Sequence, residues 1–459
     1  MSDFSLQSYA AEHKSIHLVG IGGVSMSALA ELLLHLGASV TGSDRSESDV
    51  TRKLTALGAK ITYAHLPENV EGADLVIRTA AVHDDNPEIM RAREKNIPVI
   101  ERAQAWGSIM LGYDHSICIA GTHGKTTTTS MMTLVGMQCG IDPTVMVGSN
   151  LPAINGTLRI GAHDCFIAES CEYTNSYHSF HPTVAVVLNV DEDHLDFFSG
   201  IDEIIESFHH FCSLVPQTGA LVVNHDSANA MKAVSGIDRT CITFGSTADA
   251  DVYPANVTDR HGYYSFDVMH NGAYYTHVDL SVPGYHNMMN ALAVCGVSIF
   301  LGLEPAPAAE GLHTFTGSAR RFQLTGHMAN GATVIDDYAH HPTEMTATLK
   351  TAREMDFDRI ICVFQPHTYS RTVALLPEFV EALKLCDKAI LADIFAAREK
   401  NTFGVSSKDI ADRLTDAEYC DSFEKIEARL REIAQPGDLI ITMGAGNICT
   451  VGTELCKQK

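Results

Sequence analysis

The sequence predicts an α/β protein built from three consecutive units, and three observations carry that prediction. Short β-branched runs alternate with helical patterns along the chain, the rhythm of parallel sheets covered by helices. Two glycine turns, Gly20-Ile21-Gly22-Gly23 and Gly121-Thr122-His123-Gly124, each follow a strand pattern and precede a helix pattern. A chain of 459 residues is also too long for one ordinary core, which sets an expectation of roughly two to four domains.

In the first unit IHLVGIGG is a strand running into a glycine turn, SMSALAELLLHLG a helix and ASVTGSD a second strand. ADLVIRTA and IPVIER add further buried strands, completing the βαβ rhythm of a parallel sheet. The second unit begins near Tyr113, where HSICIAGTHGKTTTTSMMTLVGMQCG gives strand, glycine loop and helix. Strands follow at DCFIAES, TVAVVLNV and GALVVNH. Between about residues 252 and 282 apolar and polar residues alternate around HNGAYY, which predicts an antiparallel hairpin region. HNMMNALAVCGVSIFLGL then has a helical pattern. The third unit begins near Arg321, with strands at GATVIDDYA, RIICVFQPH, KAILADIF and DLIITMGAGN. No low-complexity linker separates the blocks, so the expected domains are residues 1–112, 113–320 and 321–459.

Composition limits the function classes. A net charge of -24 argues against a general binder of nucleic acid or anionic membrane, which needs excess Lys and Arg. It leaves phosphorylated ligands open, since those are held by local backbone N–H groups and a few cations. The 12 cysteines include no Cys-x-x-Cys pair, and several sit inside apolar runs, as core residues of a reducing compartment would. The N-terminal segment lacks an apolar run behind a basic start, and ALAVCGVSIFLGL is too short to span a bilayer. The expectation is a soluble cytoplasmic protein.

The strongest chemical signal is Gly121-Thr122-His123-Gly124-Lys125-Thr126. A phosphate chain needs close backbone approach, a helix N-terminus offering N–H donors, and a Lys to span the β- and γ-phosphates. Thr126 is placed to offer its hydroxyl to Mg²⁺. The strict P-loop pattern has glycine where Ile119 stands, so this is a shortened variant; the alternative is a plain glycine turn beside a chance lysine. The first glycine motif, with Asp44 ending the next strand, fits NAD binding, nucleotide-sugar binding or tight packing.

Glu169 ends an apolar strand, as a metal-facing acid does in an open sheet. Asn189, Asp191, Glu192, Asp193 and His194 follow another strand and suit an Mg²⁺ or water-coordinating loop, or a solvated acidic turn. Asp336-Asp337-Tyr338-Ala339-His340-His341-Pro342-Thr343-Glu344 follows a third strand. Adjacent histidines chelate poorly, so substrate positioning is favoured there over zinc. In Gln365-Pro366-His367-Thr368-Tyr369-Ser370-Arg371, Arg371 is either a bidentate clamp for a carboxylate or a surface residue.

Taken in order, GIGGVSMSALA, AGTHGKTTTT, HPTVAVVLNVDEDHLD, VPGYHNMMNALA, ARRFQ, DDYAHHPTE and FQPHTYSRT resemble the Mur ligase family nearly end to end. The last three motifs resemble its alanine-adding branch. The resemblance implies an N-terminal Rossmann-like domain, a central P-loop ATPase with a parallel sheet and a C-terminal Rossmann-like domain. It implies ATP-dependent joining of L-alanine to the lactyl carboxylate of UDP-N-acetylmuramate in peptidoglycan synthesis, with Mg²⁺ and a monomer or homodimer.

By the same resemblance Gly20, Gly22, Gly23, Ser43 and Asp44 bind the UDP-sugar. Gly121, Thr122, His123, Gly124, Lys125, Thr126, Thr127, Asn287, Asn290, Arg321 and Asp337 bind ATP. Lys125, Glu169 and His194 are catalytic, with Thr126, Glu169 and His194 at the metal, while His340, His367 and Arg371 position alanine and the acyl group. Three departures from the family pattern stand out: Ser25 for glycine, Cys171 and Thr174 for aspartates, and Thr79-Ala80 for two serines. The rivals are a ligase that attaches a recycled tripeptide to the same nucleotide sugar, and an NAD-dependent oxidoreductase.

Overall fold

Apolar runs too short for a buried helix become the central strands of three sheets in the computed structural model, which describes residues 5–161, 165–397 and 399–457. The first sheet is parallel, with order β3-β2-β1-β4-β5: β1 is Ser15–Val19, β2 Ser39–Ser43, β3 Lys60–Thr62, β4 Leu75–Arg78 and β5 Val99–Glu101. Ile16, Leu18 and Val19 of β1 and Leu75, Val76 and Ile77 of β4 are fully buried, as strands covered on both faces require. The chain order reverses at β1, between β2 and β4, so a crevice opens at the C-terminal ends of β1 and β4. Gly20 and Thr79 lie there, so close that a Cβ on Gly20 would stand 3.0 Å from Thr79 Cγ2.

The central strands are β6 (His115–Ala120), β7 (Thr144–Leu151), β8 (Gly156–Arg159), β9 (Cys165–Glu169), β10 (Val184–Val187) and β11 (Ala220–Asn224), in the order β11-β10-β6-β9-β7-β8. All pairs are parallel except β7 with β8. Here the order reverses at β6, and the phosphate-loop motif leaves its C-terminal end. β12 (Thr240–Phe244) pairs through Phe244 with Val252 of β13 (Val252–Arg260). The expected hairpin region is an antiparallel meander of β13, β14 (Tyr263–His270) and β15 (Ala273–Asp279). Its HNG turn holds Asn271 and Gly272 at φ of 50° and 80°, the left-handed pair that a type I′ turn demands.

The third sheet has the order β16-β17-β21-β18-β19-β20, from β16 (Gln323–His327), β17 (Thr333–Asp337), β18 (Arg359–Phe364), β19 (Lys388–Leu391), β20 (Ala417–Tyr419) and β21 (Asp438–Met443). Only β16 runs antiparallel to its neighbour. Register sets Asp337 and Phe364 both against Met443. The loops leaving β17, β18 and β21 therefore start at one level, which gathers the DDYAHH and QPHTYSR motifs.

The chain forms two compact units. Residues 1–121, 132–190 and 205–243 make the first, and residues 122–131, 191–204 and 244–459 the second. The phosphate-loop lysine and the acidic loop after β10 therefore share a unit with the third sheet. Among the described residues no helix is long and apolar enough to cross a membrane.

One buried polar network ties the first sheet together. Glu88, on the helix Pro87–Glu94, is fully buried and accepts hydrogen bonds from Ser43 Oγ at 2.8 Å and Asn69 Nδ2 at 2.6 Å. His65 Nδ1 stands 2.7 Å and His17 Nε2 3.3 Å from its oxygens. Burial alone would raise the pKa of this carboxyl; the bonds from His17, Asn69, His65 and Ser43 outweigh burial and hold it below the ordinary value. Glu88→Ala leaves several buried polar groups without a partner and should cost about 3 kcal/mol. The only tryptophan, Trp106, lies in the first unit and reports its unfolding in denaturant. Because the folded pKa is depressed, the gap between wild type and variant should be full above about pH 4.5 and narrow as the pH falls below it.

Candidate active site

Glycine at both turns is a steric requirement. A Cβ on Gly121, at φ of 147°, would meet Leu188 Cβ at 2.9 Å, and one on Gly22 would meet Asp44 Oδ2 at 2.8 Å. The first turn is shaped from the end of β2. The N–H groups of Gly20 and Ile21 donate to the Ser43 carbonyl at 2.9 and 3.0 Å, and that of Gly22 to Asp44 Oδ2 at 2.7 Å. Gly23 then caps the helix Val24–His35. Ser43 thus offers the turn its carbonyl, while its hydroxyl is committed to Glu88. Ser25 occupies the first turn of the helix and accepts a 3.1 Å bond from Trp106 Nε1, a contact that glycine could not make.

The second turn opens the helix Lys125–Gln138. Lys125 Nζ donates to the Thr122 carbonyl at 3.0 Å, folding the ammonium back over the loop. Thr122 Oγ1 accepts the Asp191 N–H at 2.9 Å, which anchors the loop to the segment after β10. The Gly124 carbonyl accepts from Thr128, and Thr126 and Thr127 are buried. Thr126 Oγ1 accepts a 3.4 Å bond from Arg321 Nη2 across 195 positions of sequence. His123 places its ring nitrogens 3.2 Å from Glu344 and 3.6 Å from Asp191, with its ring centroid 4.8 Å from that of His341. The phosphate loop is thus bracketed by the third sheet's loops.

Arg321 is aimed by Asp337. That carboxylate accepts the N–H groups of Phe322 at 2.9 Å and Ala339 at 2.7 Å, clamping a segment in which Arg320 and Phe322 have φ of 60° and 50°. Burial pushes the Asp337 pKa up to about 6, against the lowering effect of Arg321 and of those two N–H groups. Arg320, the neighbour of Arg321 in the ARRFQ motif, is spent on structure: it reaches Asp336 and the carbonyls of Gly444 and Gly446 at 2.6–3.1 Å. Asn287 and Asn290 lie buried in the first turns of the helix Tyr285–Phe300. Asn290 Nδ2 donates to Asn287 Oδ1 at 3.2 Å, and Asn287 Nδ2 to the Pro283 carbonyl at 2.7 Å.

Beyond β18, Arg371 makes two bonds, at 2.7 and 3.2 Å, to Asp193 Oδ1 and one at 3.0 Å to His367 Nδ1. The side chains of Arg371 and Asp193 are 11% and 10% exposed, so this is a buried ion pair and the surface reading of Arg371 fails. Burial alone would raise the Asp193 pKa; the charges of Arg371 and His194 dominate and hold it well below the usual carboxylate range. His367 and His340 approach with ring centroids 5.6 Å apart, and burial brings both pKa values down to about 4, leaving neutral imidazoles near pH 7. His194 sits at φ of 54°, its N–H on Asp193 Oδ1 and its carbonyl accepting from Phe197 and Phe198. Asp193 was legible only as one acid in a run of three; its pairing with Arg371 has no local signal.

Glu169 belongs to the first unit, where one of its oxygens accepts the Gly148 N–H at 2.7 Å. Thr126 and His194 belong to the second. Among the described residues no group of three or more His, Cys, Asp or Glu side chains is arranged to hold a metal ion. Mg²⁺ requires no such group, because it keeps waters and takes one or two protein oxygens beside substrate phosphates. The hydroxyl of Thr126 and the carboxylate of Glu169 are donors of the kind it takes.

Comparison with known proteins matches residues 15–114 to the model described as Mur ligase family, catalytic domain, residues 119–298 to Mur ligase middle domain and residues 320–446 to Mur ligase, glutamate ligase domain. The chain belongs to the Mur ligase family. Within that family it is 47% identical to the UDP-N-acetylmuramate–L-alanine ligase of Caldanaerobacter subterraneus subsp. tengcongensis, over 97% of this chain and 98% of that protein. The enzyme of the same name from Agathobacter rectalis is also 47% identical, over 96% and 98%. Among solved structures, the UDP-N-acetylmuramate-alanine ligase of Thermotoga maritima superposes with a TM-score of 0.81 at 29% identity, covering 96% of this chain and 98% of that one. The murein peptide ligase of Psychrobacter arcticus, at 24% identity and a TM-score of 0.71, shares the fold. The three-domain α/β architecture is that of the Mur ligases.

Asp337 gives this site a measurable pH signature. Its folded pKa lies above the ordinary 3.8, so the stability it contributes is lost as pH rises through about 6. The stability of Asp337→Asn relative to wild type should therefore climb between about pH 4 and pH 6 and be flat above, measured by denaturant unfolding followed by circular dichroism.

Proposed function

We propose that this protein is the ATP-dependent ligase that joins L-alanine to the lactyl carboxylate of UDP-N-acetylmuramate, yielding UDP-N-acetylmuramoyl-L-alanine, ADP and phosphate in peptidoglycan synthesis. The observation that carries the reading is Arg321 meeting Thr126 of the phosphate loop, in the same unit as the buried Arg371, His367 and His340. Membership of the Mur ligase family and 47% identity to alanine-adding relatives support it. The working domain boundaries are near residues 112 and 320, and a cytoplasmic site of action suits a chain that uses cytosolic nucleotides.

In the proposed reaction the lactyl carboxylate attacks the γ-phosphorus of ATP and ADP leaves. Lys125, now folded onto the Thr122 carbonyl, turns to the β- and γ-phosphate oxygens and spreads the charge that builds there. Thr122, His123, Gly124 and Thr127 shape the loop around the phosphate chain, and Gly121 lets it pass Leu188. Arg321, held by Asp337, adds a second cation beside Thr126. Asn287 and Asn290 border the nucleotide. Thr126 and His194 of the second unit would hold Mg²⁺ beside the substrate phosphates, where it supplies charge neutralisation when bound, and Glu169 is an acid of the kind that metal takes. Gly20, Gly22 and Gly23 bind the diphosphate of the nucleotide sugar beside Asp44, with Ser43 supporting the turn from behind.

The resulting acyl phosphate is attacked by the neutral amine of alanine, and phosphate leaves from the tetrahedral adduct. Arg371 receives the alanine carboxylate in place of Asp193, the neutral imidazoles of His340 and His367 position the alanine and the acyl group, and the proton released by the amine leaves to water or the departing phosphate. Keeping water from the acyl phosphate is the main demand on the site.

Phosphate release from ATP in the presence of UDP-N-acetylmuramate should require L-alanine and fall at least about 100-fold in Lys125→Ala. Turnover with L-alanyl-γ-D-glutamyl-meso-diaminopimelate in place of alanine would move the protein to the recycling ligases. Arg371→Lys keeps the charge but loses the fork, so KM for alanine should rise about tenfold with KM for ATP unchanged.

A further inference from the structure

The first unit contains a cavity of about 350 Å³ whose lining includes Gly23, Ser25, Thr79, Arg102, Glu169 and Cys171. Its one cation is Arg102, the first residue of the helix Arg102–Met110 that follows β5. Among the described residues Arg102 makes no hydrogen bond or ion pair; its electrostatic neighbours are Cys171 and Glu101. Glu101 is already taken by Arg78 Nη2 at 3.2 Å, Cys171 offers only a thiol, and Glu169 accepts the Gly148 N–H. Arg102 is half-buried, and burial pulls its pKa below the ordinary arginine value, outweighing the opposing charges of Cys171 and Glu101.

A half-buried guanidinium that bonds no protein group among the described residues is available to a ligand in the cavity, and its fork matches a carboxylate or phosphate best. Its location is fixed. Gly107 of the same helix has no room for a Cβ, which would fall 1.8 Å from the Ser179 carbonyl oxygen, so the helix is seated directly on that backbone. Trp106 ties the helix to Ser25 and hence to the glycine turn. The turn that meets the nucleotide sugar and the strand end that carries Glu169 therefore share a cavity whose charge is set by Arg102.

We propose that Arg102 receives an oxyanion of the UDP-sugar substrate, either its diphosphate or its lactyl carboxylate. This rests on the function proposed above and assigns a substrate contact to a residue that carries no motif.

Calorimetric titration of the full-length protein with UDP-N-acetylmuramate, with UDP-N-acetylglucosamine (which lacks the lactyl group) and with ATP tests it. In Arg102→Gln, close in shape and uncharged, Kd for UDP-N-acetylmuramate should rise at least about tenfold, with Kd for ATP and Trp106 fluorescence as in wild type. Arg102→Lys should recover part of the loss. An equal loss for both sugars assigns Arg102 to the diphosphate, and a loss for UDP-N-acetylmuramate alone assigns it to the lactyl carboxylate. Unchanged affinity for both sugars in Arg102→Gln overturns the proposal while leaving the ligase reading intact. Failure of the wild type to bind either sugar would overturn the ligase reading itself, and this proposal with it.

Discussion

The second unit depends on one buried carboxylate accepting two backbone N–H groups. Asp337 fixes Phe322 and Ala339 at 2.9 and 2.7 Å, and beside Phe322 stands Arg321, a cation that bonds the phosphate-loop hydroxyl of Thr126. Left-handed backbone at Arg320 and Phe322 costs about 1–2 kcal/mol for each residue. Hydrogen bonds to a charged acceptor contribute about 1.5–3 kcal/mol each and offset that strain. Withdrawing the carboxylate from water raises its pKa to about 6, so ionising it toward neutral pH costs part of the stability it contributes. Strain, charge and burial are balanced on a segment of three residues, and that segment aims Arg321.

Carboxylates hold the other turns by the same means. Asp44 accepts the Gly22 N–H at the nucleotide-sugar turn, and Glu169 accepts that of Gly148. Asp193 answers Arg371 where an amino-acid carboxylate is proposed to bind. An internal acid that satisfies a donor keeps it oriented and leaves it exchangeable, because an incoming oxyanion offers the same bond with its own contacts added. The strongly acidic composition is in this respect no obstacle to handling two polyanionic substrates and an amino-acid carboxylate.

The strands, the glycine turns and the Tyr285–Phe300 helix were legible from the chain because each is written in neighbouring residues. Apolar runs mark buried strands, glycines mark close approach, and Asn271-Gly272 marks a tight hairpin. The short edge strands β8, β16 and β20 were not legible, since a strand of three to five half-exposed residues carries little periodicity. Asp44, Lys125 and Asp337 could be singled out by their place after a strand. Arg102 could not, because an arginine at a helix start looks like any surface cation until its neighbours are known.

The sequence by itself determined the three α/β units, the two phosphate-type turns and the family, all of which follow from local pattern and motif order. Tertiary structure decided the partners: Arg321 with Thr126 across 195 positions, Arg371 with Asp193 across 178, and Ser43 with Glu88 across 45. It also turned the Ser43 hydroxyl inward and set Arg102 in a cavity. The physical reason is range. Backbone preference and hydrophobic periodicity act over a few residues, whereas the worth of a charge depends on which dipoles and opposite charges folding brings within about 4 Å.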